Sequence, residues 1–520
     1  MNQYRVEAKI KPYIQPFERT LAEMELCALA SNHPVKSNGR GEVTYSVWTD
    51  TTIELLADRL TYWESIDDGS EQIVPRQIFR EASAVTRSRN NAGDSPHGEI
   101  VLPRRRILRY GPHGIHEYRG KFFPQLVRSL LNYAECGRDA LILDPMCGSG
   151  TTLVEACLLG CRGVGLDLNP LSHLISRSKS DILQLTPRRL ANAHSRLQAA
   201  LGKKVDGQLR WFSSLSEVDQ TYLRRWFSEP VLSQLDAVSC AIGDISGGRK
   251  IKDFFRVSLS NILRRVSYQK DDDLRVRKDE KKELPEDIIQ FYLQQTNRTV
   301  ETLAPFLEEI SKTDLGSAIV RQGDARLESA VQNIIAEGSA DAVVTSPPYA
   351  TALPYLDTDR LSLTYLGLLP RNRQRKLDLE MIGNREITSG HRKEYRTLLT
   401  TESARLPDSI PKLIEKIEGL NSGTEVGFRR QNLPALLSKY FVDMRRVLST
   451  IRWALRPGAP AFVVVGNNHT VAGGEHVEIE TGLLLAELGQ AVGLKFERDI
   501  SMEMLTSRDI FRKNTGSAET

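Results

Sequence analysis

A short polar turn in this chain could do chemistry on an amine. Ser346-Pro347-Pro348-Tyr349 follows the apolar run Ala342-Val343-Val344. Proline has no N–H, so two prolines at a strand end leave a rigid turn with unpaired carbonyl oxygens. We expect the Ser346 hydroxyl and the Pro347 carbonyl to accept both hydrogens of one amino group. Tyr349 then offers a ring for stacking. The candidate catalytic residues are therefore Ser346, Pro347, Pro348 and Tyr349.

Two acceptors on one amine matter because an amine conjugated to an aromatic ring is a poor nucleophile. They favour a geometry in which the nitrogen lone pair points at an electrophile, so alignment and local electrostatics carry the catalysis. The alternative for a bare Pro-Pro-Tyr is a proline-capped strand with a core tyrosine.

A glycine loop at Asp144-Pro145-Met146-Cys147-Gly148-Ser149-Gly150-Thr151-Thr152 is the second signal. Small residues between a strand and a helix let the backbone approach a ligand, and the helix N-terminus offers free N–H groups. The spacing is not G-x-G-x-x-G, and an acid opens the loop directly after the strand, which disfavours NAD. The loop lacks a Gly-Lys-Ser/Thr ending, which disfavours ATP.

Asp167 follows the next apolar run, Gly163–Leu166. An acid at this place in a βαβ unit accepts the ribose hydroxyls of a bound nucleoside. The alternative is that Asp167 only caps the helix that follows Asn169-Pro170. Beside the Asp144 loop, the sequence favours an adenosyl ligand.

The elements that position these residues are those of an α/β fold. Leu141–Leu143 reads as a buried strand, Thr151–Leu159 as a helix and Gly163–Leu166 as the next strand. This is a βαβ unit, which implies a parallel sheet of the Rossmann-like type. Strand patterns return at Ala318–Val320, Ala342–Val344 and Ala461–Val465.

We divide the chain into six segments. They are an N-terminal accessory region (1–100), a cofactor-binding part (101–180), a mostly helical insertion (181–314), a catalytic part (315–356), a candidate target-recognition insertion (357–434) and a C-terminal part (435–520). Asn90–Pro96 is typical of a flexible linker, and Gln269–Glu283 is nearly all polar.

The bulk composition excludes several classes of protein. No apolar run approaches the roughly 20 residues of a membrane span, and the first residues have no signal core. The six cysteines form no Cys-x-x-Cys pair and no disulfide framework, so we expect a reduced cytoplasm and no zinc site. A net charge of +4 permits a nucleic-acid partner without demanding one.

The glycine loop resembles that of the amino-methyltransferases that act on DNA, and this family has a Rossmann-like methyltransferase sheet that uses S-adenosylmethionine. The segment His113–Pro124 resembles the one that folds over the methionine end of the cofactor there, and Arg321–Arg326 resembles the turn whose acid meets the adenine amine. The resemblance covers Arg104–Ser180, Ala318–Leu356 and Tyr440–Ile500. The candidate cofactor residues are Lys121, Phe122, Asp144, Pro145, Cys147, Gly148, Ser149, Gly150, Thr151, Asp167 and Asp324.

The resemblance implies methyl transfer to the exocyclic amine of a base flipped out of double-stranded DNA. Serine at position 346 resembles the N4-cytosine enzymes, whereas the N6-adenine enzymes more often carry Asp or Asn there. Methylation at carbon 5 of cytosine needs a cysteine that typically follows a proline, and the sequence has no Pro-Cys dipeptide. We therefore expect N4-cytosine, with N6-adenine as the alternative.

Basic residues should flank the site because phosphate contacts position DNA. The first candidates are Arg371, Arg373, Arg375 and Lys376, followed by Arg104–Arg106 and Arg249–Arg265 with Phe254 and Phe255. We expect either the 181–314 or the 357–430 insertion to select the target sequence. His113 and His116 lack a third ligand at matching spacing, so no metal is expected.

The cellular setting that follows is a prokaryotic cytoplasm, with the protein on the nucleoid when it is bound to DNA. A restriction nuclease or the subunits of a phage-defence system are possible partners. Two other functions stay open: an RNA base amino-methyltransferase, and a catalytically silent subunit that only binds nucleic acid.

Overall fold

The computed structural model describes residues 3–38, 42–85, 103–118, 120, 122–203, 209–271, 277–350, 355–384, 387–422 and 427–502. The expected linker Asn90–Pro96 and the candidate cofactor residue Lys121 lie outside the described residues. Residues 272–276, in the middle of the expected polar stretch, also lie outside them.

The N-terminal segment forms an antiparallel sheet with strand order β2-β3-β1-β4-β5. Alternate residues of its central strand, Val6, Ala8 and Ile10, are buried, as in a sheet with one face on a core. A capping box formed by Gln15 and Glu18 begins the first helix. The elements are β1 (Tyr4–Ile10), α1 (Pro16–Ala30), β2 (Val35–Asn38), β3 (Val43–Thr49), α2 (Ile53–Arg59), β4 (Trp63–Asp67), β5 (Gln72–Ile73) and α3 (Arg76–Ser83).

A βαβ unit follows a short 3₁₀ helix at Gly111–Gly114. Its elements are α4 (Pro124–Tyr133), β6 (Leu141–Asp144), α5 (Thr151–Leu158), β7 (Arg162–Asp167) and α6 (Pro170–Ile182). A series of helices then packs into one apolar core with α5 and α6. They are α7 (Pro187–Leu201), α8 (Arg210–Ser213), α9 (Glu217–Arg224), α10 (Glu229–Asp244), α11 (Gly248–Leu263) and α12 (Ile288–Ile310).

The rest of the chain returns to the sheet twice, around a second group of helices. Its elements are β8 (Ser317–Gln322), α13 (Glu328–Gln332), β9 (Ala342–Thr345), α14 (Tyr355–Tyr365), α15 (Arg371–Glu380), α16 (Ser389–Glu402), α17 (Ser409–Asn421), α18 (Phe428–Ala454), β10 (Ala461–Val463), β11 (Asn468–Ala472), β12 (Glu475–Ile479) and α19 (Thr481–Ala491). Strands β11 and β12 form a separate antiparallel hairpin.

The main sheet has strand order β10-β9-β6-β7-β8, and every neighbouring pair is parallel. From β6 the chain builds outward to β7 and β8, then crosses to β9 and β10 on the other side. The order therefore reverses between β6 and β9, and ligands of open α/β sheets bind at the carboxyl ends of strands at such a point. The expected α/β, Rossmann-like fold class is confirmed, and Asp144 and Ser346 lie at its switch point.

The N-terminal sheet and the main sheet share one apolar core. Val6 and Trp63 pack in the same buried cluster as Leu131 of α4, Ile142 of β6 and Val344 of β9. Polar groups are buried in the same region: the Asn132 side chain donates to Glu25 Oε2 (2.9 Å) and to the Arg59 carbonyl (2.9 Å). The Arg59 guanidinium in turn donates to Asn132 Oδ1 (3.1 Å). The accessory region is thus part of the same core as the main sheet.

Several of the expected segment boundaries fall inside helices. The boundary at 180/181 lies within α6, the one at 356/357 within α14 and the one at 434/435 within α18. A helix continues across a boundary of this kind because its apolar face packs on both sides, which local composition does not show. Among the described residues, no helix is long and apolar enough to cross a membrane.

Candidate active site

A pocket opens at the carboxyl edge of the main sheet. It encloses roughly 800 Å³, counting space open to solvent. Its lining residues come from six separate segments of the chain. They are Tyr118, Gly120, Phe122, Pro145, Met146, Cys147, Gly148, Ser149, Thr151, Asp167, Leu168, Gly323, Asp324, Ala325, Arg326, Ser346, Pro348, Met381 and Ile382.

Asp144 lies behind the glycine loop, fully buried at the end of β6. Its Oδ1 accepts hydrogen bonds from Thr345 Oγ1 (2.7 Å) and from the Met146 N–H (3.2 Å). Burial raises the pKa of this carboxyl to about 7. Asp144 joins the loop to β9 and is not among the lining residues, and its expected part in cofactor binding stays a prediction. It therefore fixes the distance between the glycine loop and Ser346.

The glycine loop needs its glycines for two reasons. Gly148 (φ 49°) and Gly150 (φ 80°) have left-handed backbone conformations, in which a residue with a side chain would be strained. A Cβ at Gly148 would lie 3.2 Å from the Tyr118 ring, and one at Gly150 would lie 2.7 Å from Ser176 Cβ. The loop can therefore stay flat against the pocket only with glycine at both positions.

Two side chains of the glycine loop, Ser149 and Cys147, differ in the chemistry they can take part in. The Ser149 hydroxyl is buried at the pocket and has no hydrogen-bond partner among the residues that the structure describes. Burial, together with the carboxylates of Asp167 and Asp144, raises the pKa of the Cys147 thiol well above its usual value. Cys147 is therefore a neutral thiol, unsuited to act as a nucleophile at neutral pH.

Asp167 lines the pocket at the end of β7. Its two carboxylate oxygens accept hydrogen bonds from the backbone N–H groups of Gly148 (2.8 Å) and Asn169 (2.8 Å). Burial raises the pKa of the Asp167 carboxyl to about 6. The alternative role considered for Asp167 was to cap α6. Asn169 fills that role, because its side chain accepts a hydrogen bond from the Leu171 N–H (3.0 Å). Asp167 therefore has a place at the pocket and is not the helix cap.

The segment before α4 forms one side of the pocket through Tyr118 and Phe122. The Tyr118 hydroxyl lies 2.9 Å from Ser172 Oγ, which holds the ring over Gly148. The nearby histidines are engaged with protein groups: His113 Nε2 lies 2.9 Å from Glu155 Oε1, and His116 Nε2 lies 3.0 Å from Ser260 Oγ. No cluster of His, Cys, Asp or Glu suited to a metal ion occurs in the described parts of the chain.

The proline turn at the end of β9 reaches the same pocket. Ser346 and Pro348 line it, whereas Pro347 is buried. Tyr349 is half-buried between two glycines: a Cβ at Gly466 would lie 2.9 Å from its ring, and one at Gly383 would lie 3.0 Å from its carbonyl oxygen. Burial raises the pKa of the Tyr349 phenol, although a hydrogen bond with Ser346 opposes this shift. The turn is thus held from both sides, with Ser346 facing the pocket.

An ion-pair network (Asp324, Arg326, Asp443 and Lys439) supports the wall opposite the glycine loop. Arg326 donates to both oxygens of Asp324, with Nη2 2.6 Å from Oδ2. Its Nη1 donates to Asp443 Oδ2 on α18 (3.0 Å). Burial would raise the pKa of the Asp324 carboxyl, but the Arg326 hydrogen bonds outweigh it and lower that pKa.

Lys439 completes this network. Its ammonium donates to Asp443 and to the carbonyl of Met381 (3.3 Å), and Met381 lines the pocket. Burial lowers the pKa of Lys439, although the Asp443 carboxylate opposes the shift. The network thus connects Asp324, the expected cofactor acid, to the segment that follows α15.

The candidate DNA-binding residues on α15 differ in exposure. Arg371 is half-buried, with its guanidinium carbon 5.0 Å from the Tyr222 ring centroid, and it donates to Gln374. Arg373, Arg375 and Lys376 are exposed. Among the second candidates, Arg106 is paired with Glu18, and Phe254 and Phe255 are buried in the helical core. Those two phenylalanines therefore cannot stack on a nucleic acid.

The sequence-based candidates left out nine lining residues: Tyr118, Gly120, Met146, Leu168, Gly323, Ala325, Arg326, Met381 and Ile382. Tyr118 and Arg326 stand inside the motifs that were recognised, so their positions could have been noted from the sequence. Met381 and Ile382 carry no local signal. They reach the pocket because α15 and α18 fold back over the sheet edge.

The parallel sheet with a pocket at its switch point defines an α/β protein of the Rossmann-like class. The family model described as "RMKL-like, methyltransferase domain" matches residues 116–185, which include the glycine loop and Asp167.

Two relatives match most of the chain. It is 24% identical over 399 residues to Type II methyltransferase M.MvaI of Kocuria varians, covering 72% of this chain and 80% of that protein. It is 22% identical over 422 residues to Type II methyltransferase M.BsoBI of Geobacillus stearothermophilus, covering 74% and 78%.

A third relative matches a short segment. The tRNA (guanine(10)-N2)-dimethyltransferase of Methanothermobacter thermautotrophicus is 42% identical over 52 residues, which are 10% of this chain and 16% of that protein. The long matches and the family model agree with the Rossmann-like fold. The resemblance to the DNA methyltransferase family that the sequence predicted is confirmed.

Proposed function

We propose that this protein is a site-specific DNA methyltransferase that transfers a methyl group from S-adenosylmethionine to the exocyclic N4 of a flipped-out cytosine. One observation carries the proposal: a single pocket is lined both by the glycine loop with Asp167 and by Ser346 with Pro348. A nucleoside cofactor and an amine can therefore meet in one place.

The residues at the pocket fit an adenosyl cofactor. The glycine loop leaves room for a ligand backbone, and the Ser149 hydroxyl has no partner in the described part of the chain. We expect Asp167 to accept the ribose hydroxyls, Tyr118 and Phe122 to cover the methionine end, and Asp324 to meet the adenine amine. When bound, S-adenosylmethionine supplies an electrophilic methyl group on its sulfonium.

The protein's part in the reaction is alignment of the amine. The Ser346 hydroxyl and the Pro347 carbonyl accept the two amine hydrogens, which leaves the lone pair directed at the methyl group. Asp144 holds Thr345, the residue before Ser346, by a 2.7 Å hydrogen bond. Since this carboxyl also binds the loop backbone, both reacting partners share one anchor. No covalent enzyme intermediate is involved, in keeping with the neutral, buried Cys147.

The choice of base rests on Ser346. A serine in this turn resembles the N4-cytosine enzymes, and the long matches to Type II methyltransferases support a sequence-specific enzyme of restriction-modification. A cognate nuclease is the partner that such a role implies. Adenine N6 is the alternative, because a hydroxyl and a carbonyl can accept the hydrogens of either amine.

Nucleoside analysis tests this proposal. Purified protein would be incubated with S-adenosylmethionine and unmodified genomic DNA, and the hydrolysed nucleosides would be identified by mass spectrometry. We expect N4-methylcytosine, lost in Ser346→Ala, and sequencing of the product should locate it in one recurring motif. If N6-methyladenine is found instead, the target base in the proposal changes from cytosine to adenine. Methylation of tRNA alone, or of neither nucleic acid, would overturn it.

A further inference from the structure

A basic surface cluster with an exposed aromatic ring lies where the N-terminal parts of α16 and α18 meet. We call it the Phe428 patch. It consists of Arg392, Lys393, Phe428, Arg429 and Arg430. No role in the pocket accounts for it, since none of its members lines the site.

Phe428 is unusual for a large apolar side chain, because 56% of its surface is exposed. The Arg392 guanidinium carbon lies 5.4 Å from the Phe428 ring centroid, within cation–π distance. Arg392 also donates to Asn432 Oδ1 (2.6 Å). The ring and one cation are thus held together at the surface.

The other cations of the patch are available to a ligand. Arg429, Arg430 and Lys393 are exposed, and among the described residues no carboxylate forms a salt bridge with any of them. Glu394 is the acid within the patch's own stretch of α16. The patch therefore carries a net positive charge beside an apolar face.

The patch has a fixed relation to the pocket through α18. Phe428 lies 11 residues before Lys439 on this helix, which is about 16 Å at 1.5 Å per residue. Lys439 donates to the carbonyl of Met381, a pocket residue. α16 packs beside α18 through Tyr395, Ala435 and Leu436, so the two helices hold the patch on a rigid support.

We infer that the Phe428 patch binds the DNA duplex that carries the target base. Arg392, Arg429 and Arg430 contact phosphates, and Phe428 makes an apolar contact with bases in a groove. For a duplex that runs along α18, the roughly 16 Å of helix rise between Phe428 and Lys439 spans about five base pairs. The inference rests on the proposed function for its substrate, and it assigns DNA contact to the 357–434 segment.

Charge argues for DNA over a second copy of this chain. In a two-fold dimer through this patch, each set of cations would face the same set on its partner. A duplex instead presents one negative charge per about 1.7 Å of its axis. Duplex DNA is therefore the occupant that the patch fits.

Duplex binding, followed by fluorescence anisotropy at several salt concentrations, tests the inference. Arg429→Ala with Arg430→Ala should lower the slope of log affinity against log salt by about 2. Phe428→Ala should weaken binding at least fivefold, with the slope unchanged. The effect of both variants should disappear on duplexes cut to three base pairs beyond the target base on the side of the patch.

The matched controls lie away from the patch. Arg188→Ala with Arg189→Ala removes two exposed arginines from α7, and Phe496→Ala removes a ring that is 44% exposed. Phe496 follows Gly493, which lies against Arg452 near the other end of α18. These controls should bind duplexes as wild type does.

The outcomes separate this inference from the proposed function. If the patch variants lose no more DNA affinity than the control variants do, the inference is wrong. It is also wrong if wild type is a dimer in sedimentation and Phe428→Ala converts it to a monomer. If the patch variants lose DNA binding while wild type methylates no base, the patch stands and the proposed function fails. If wild type methylates DNA and the patch variants bind DNA normally, the proposed function stands and the inference about the patch fails.

Discussion

The two walls of the pocket are built in opposite ways. The loop wall, residues 145–151 with Asp167, comes from one βαβ unit whose members are close in sequence. The network wall joins groups that are far apart: Arg326 bonds Asp443, 117 positions later, and Lys439 bonds Met381, 58 positions earlier. The loop wall is therefore set by local backbone geometry, whereas the network wall exists only once the whole domain has folded. Changes in the two walls should fail differently.

Ser346 stands between the walls and gives the largest expected effect. Ser346→Ala removes one acceptor for the amine and should lower kcat about 10²–10³-fold, the usual loss for one transition-state hydrogen bond. Cofactor affinity should stay unchanged because both walls are intact. Single-turnover kinetics together with calorimetric titration of S-adenosylhomocysteine would measure the two quantities. A fully active variant would show that the two walls suffice without this side chain.

Arg326→Ala tests the network wall. It leaves Asp324 and Asp443 competing for Lys439, and breaking a largely buried ion pair costs roughly 3 kcal/mol. We expect lower unfolding stability and a cofactor KM raised about tenfold together, with Arg326→Lys restoring part of each. Denaturant unfolding and initial rates would be measured on the same preparations. Normal stability with weaker cofactor binding would mean that the network is not needed for folding.

A pH series tests the loop wall. In the proposed complex, the ribose hydroxyls donate to the ionised form of Asp167, and burial raises the pKa of this carboxyl to about 6. The affinity for S-adenosylhomocysteine should therefore be full above this pH and fall up to tenfold per unit as the pH decreases below it. Asp167→Asn should bind more weakly and show a flatter profile. An identical pH dependence in wild type and Asp167→Asn would remove this carboxyl from the site.

Cys147→Ala should have the smallest effect. The thiol is buried and neutral, and the proposed reaction forms no bond to it. We expect kcat within about threefold of wild type, measured beside the Ser346→Ala protein as the inactive reference. A folded Cys147→Ala protein that binds cofactor but does not turn over would contradict the alignment mechanism.

The loop wall was predictable from sequence and the network wall was not, for a physical reason. Glycines with left-handed backbones and an acid after a strand are local requirements, so Gly148, Gly150 and Asp167 show in the sequence. The position of Asp144 behind the loop depends on Thr345, about 200 residues later. Likewise, nothing near Met381 predicts that it reaches the pocket, because tertiary packing of α15 and α18 places it there.

Basic runs were the least informative signals. The residues Arg371–Lys376 were favoured for their charge, yet Arg371 is engaged with Tyr222 and Gln374. The Phe428 patch draws on two segments that are more than 30 residues apart in the chain. A charge count along the sequence cannot combine them, because the pairing of α16 with α18 is a property of the fold.

The shared core of the two sheets has a consequence for synthesis on the ribosome. The N-terminal sheet leaves the exit tunnel before α4, but buried Glu25 accepts a hydrogen bond from Asn132 of α4, and buried Arg59 donates one to the same side chain. Until α4 has emerged, these two charged groups lack those partners in a low-dielectric interior, which is costly. The N-terminal sheet therefore cannot reach its final packing during synthesis until α4 has also been made.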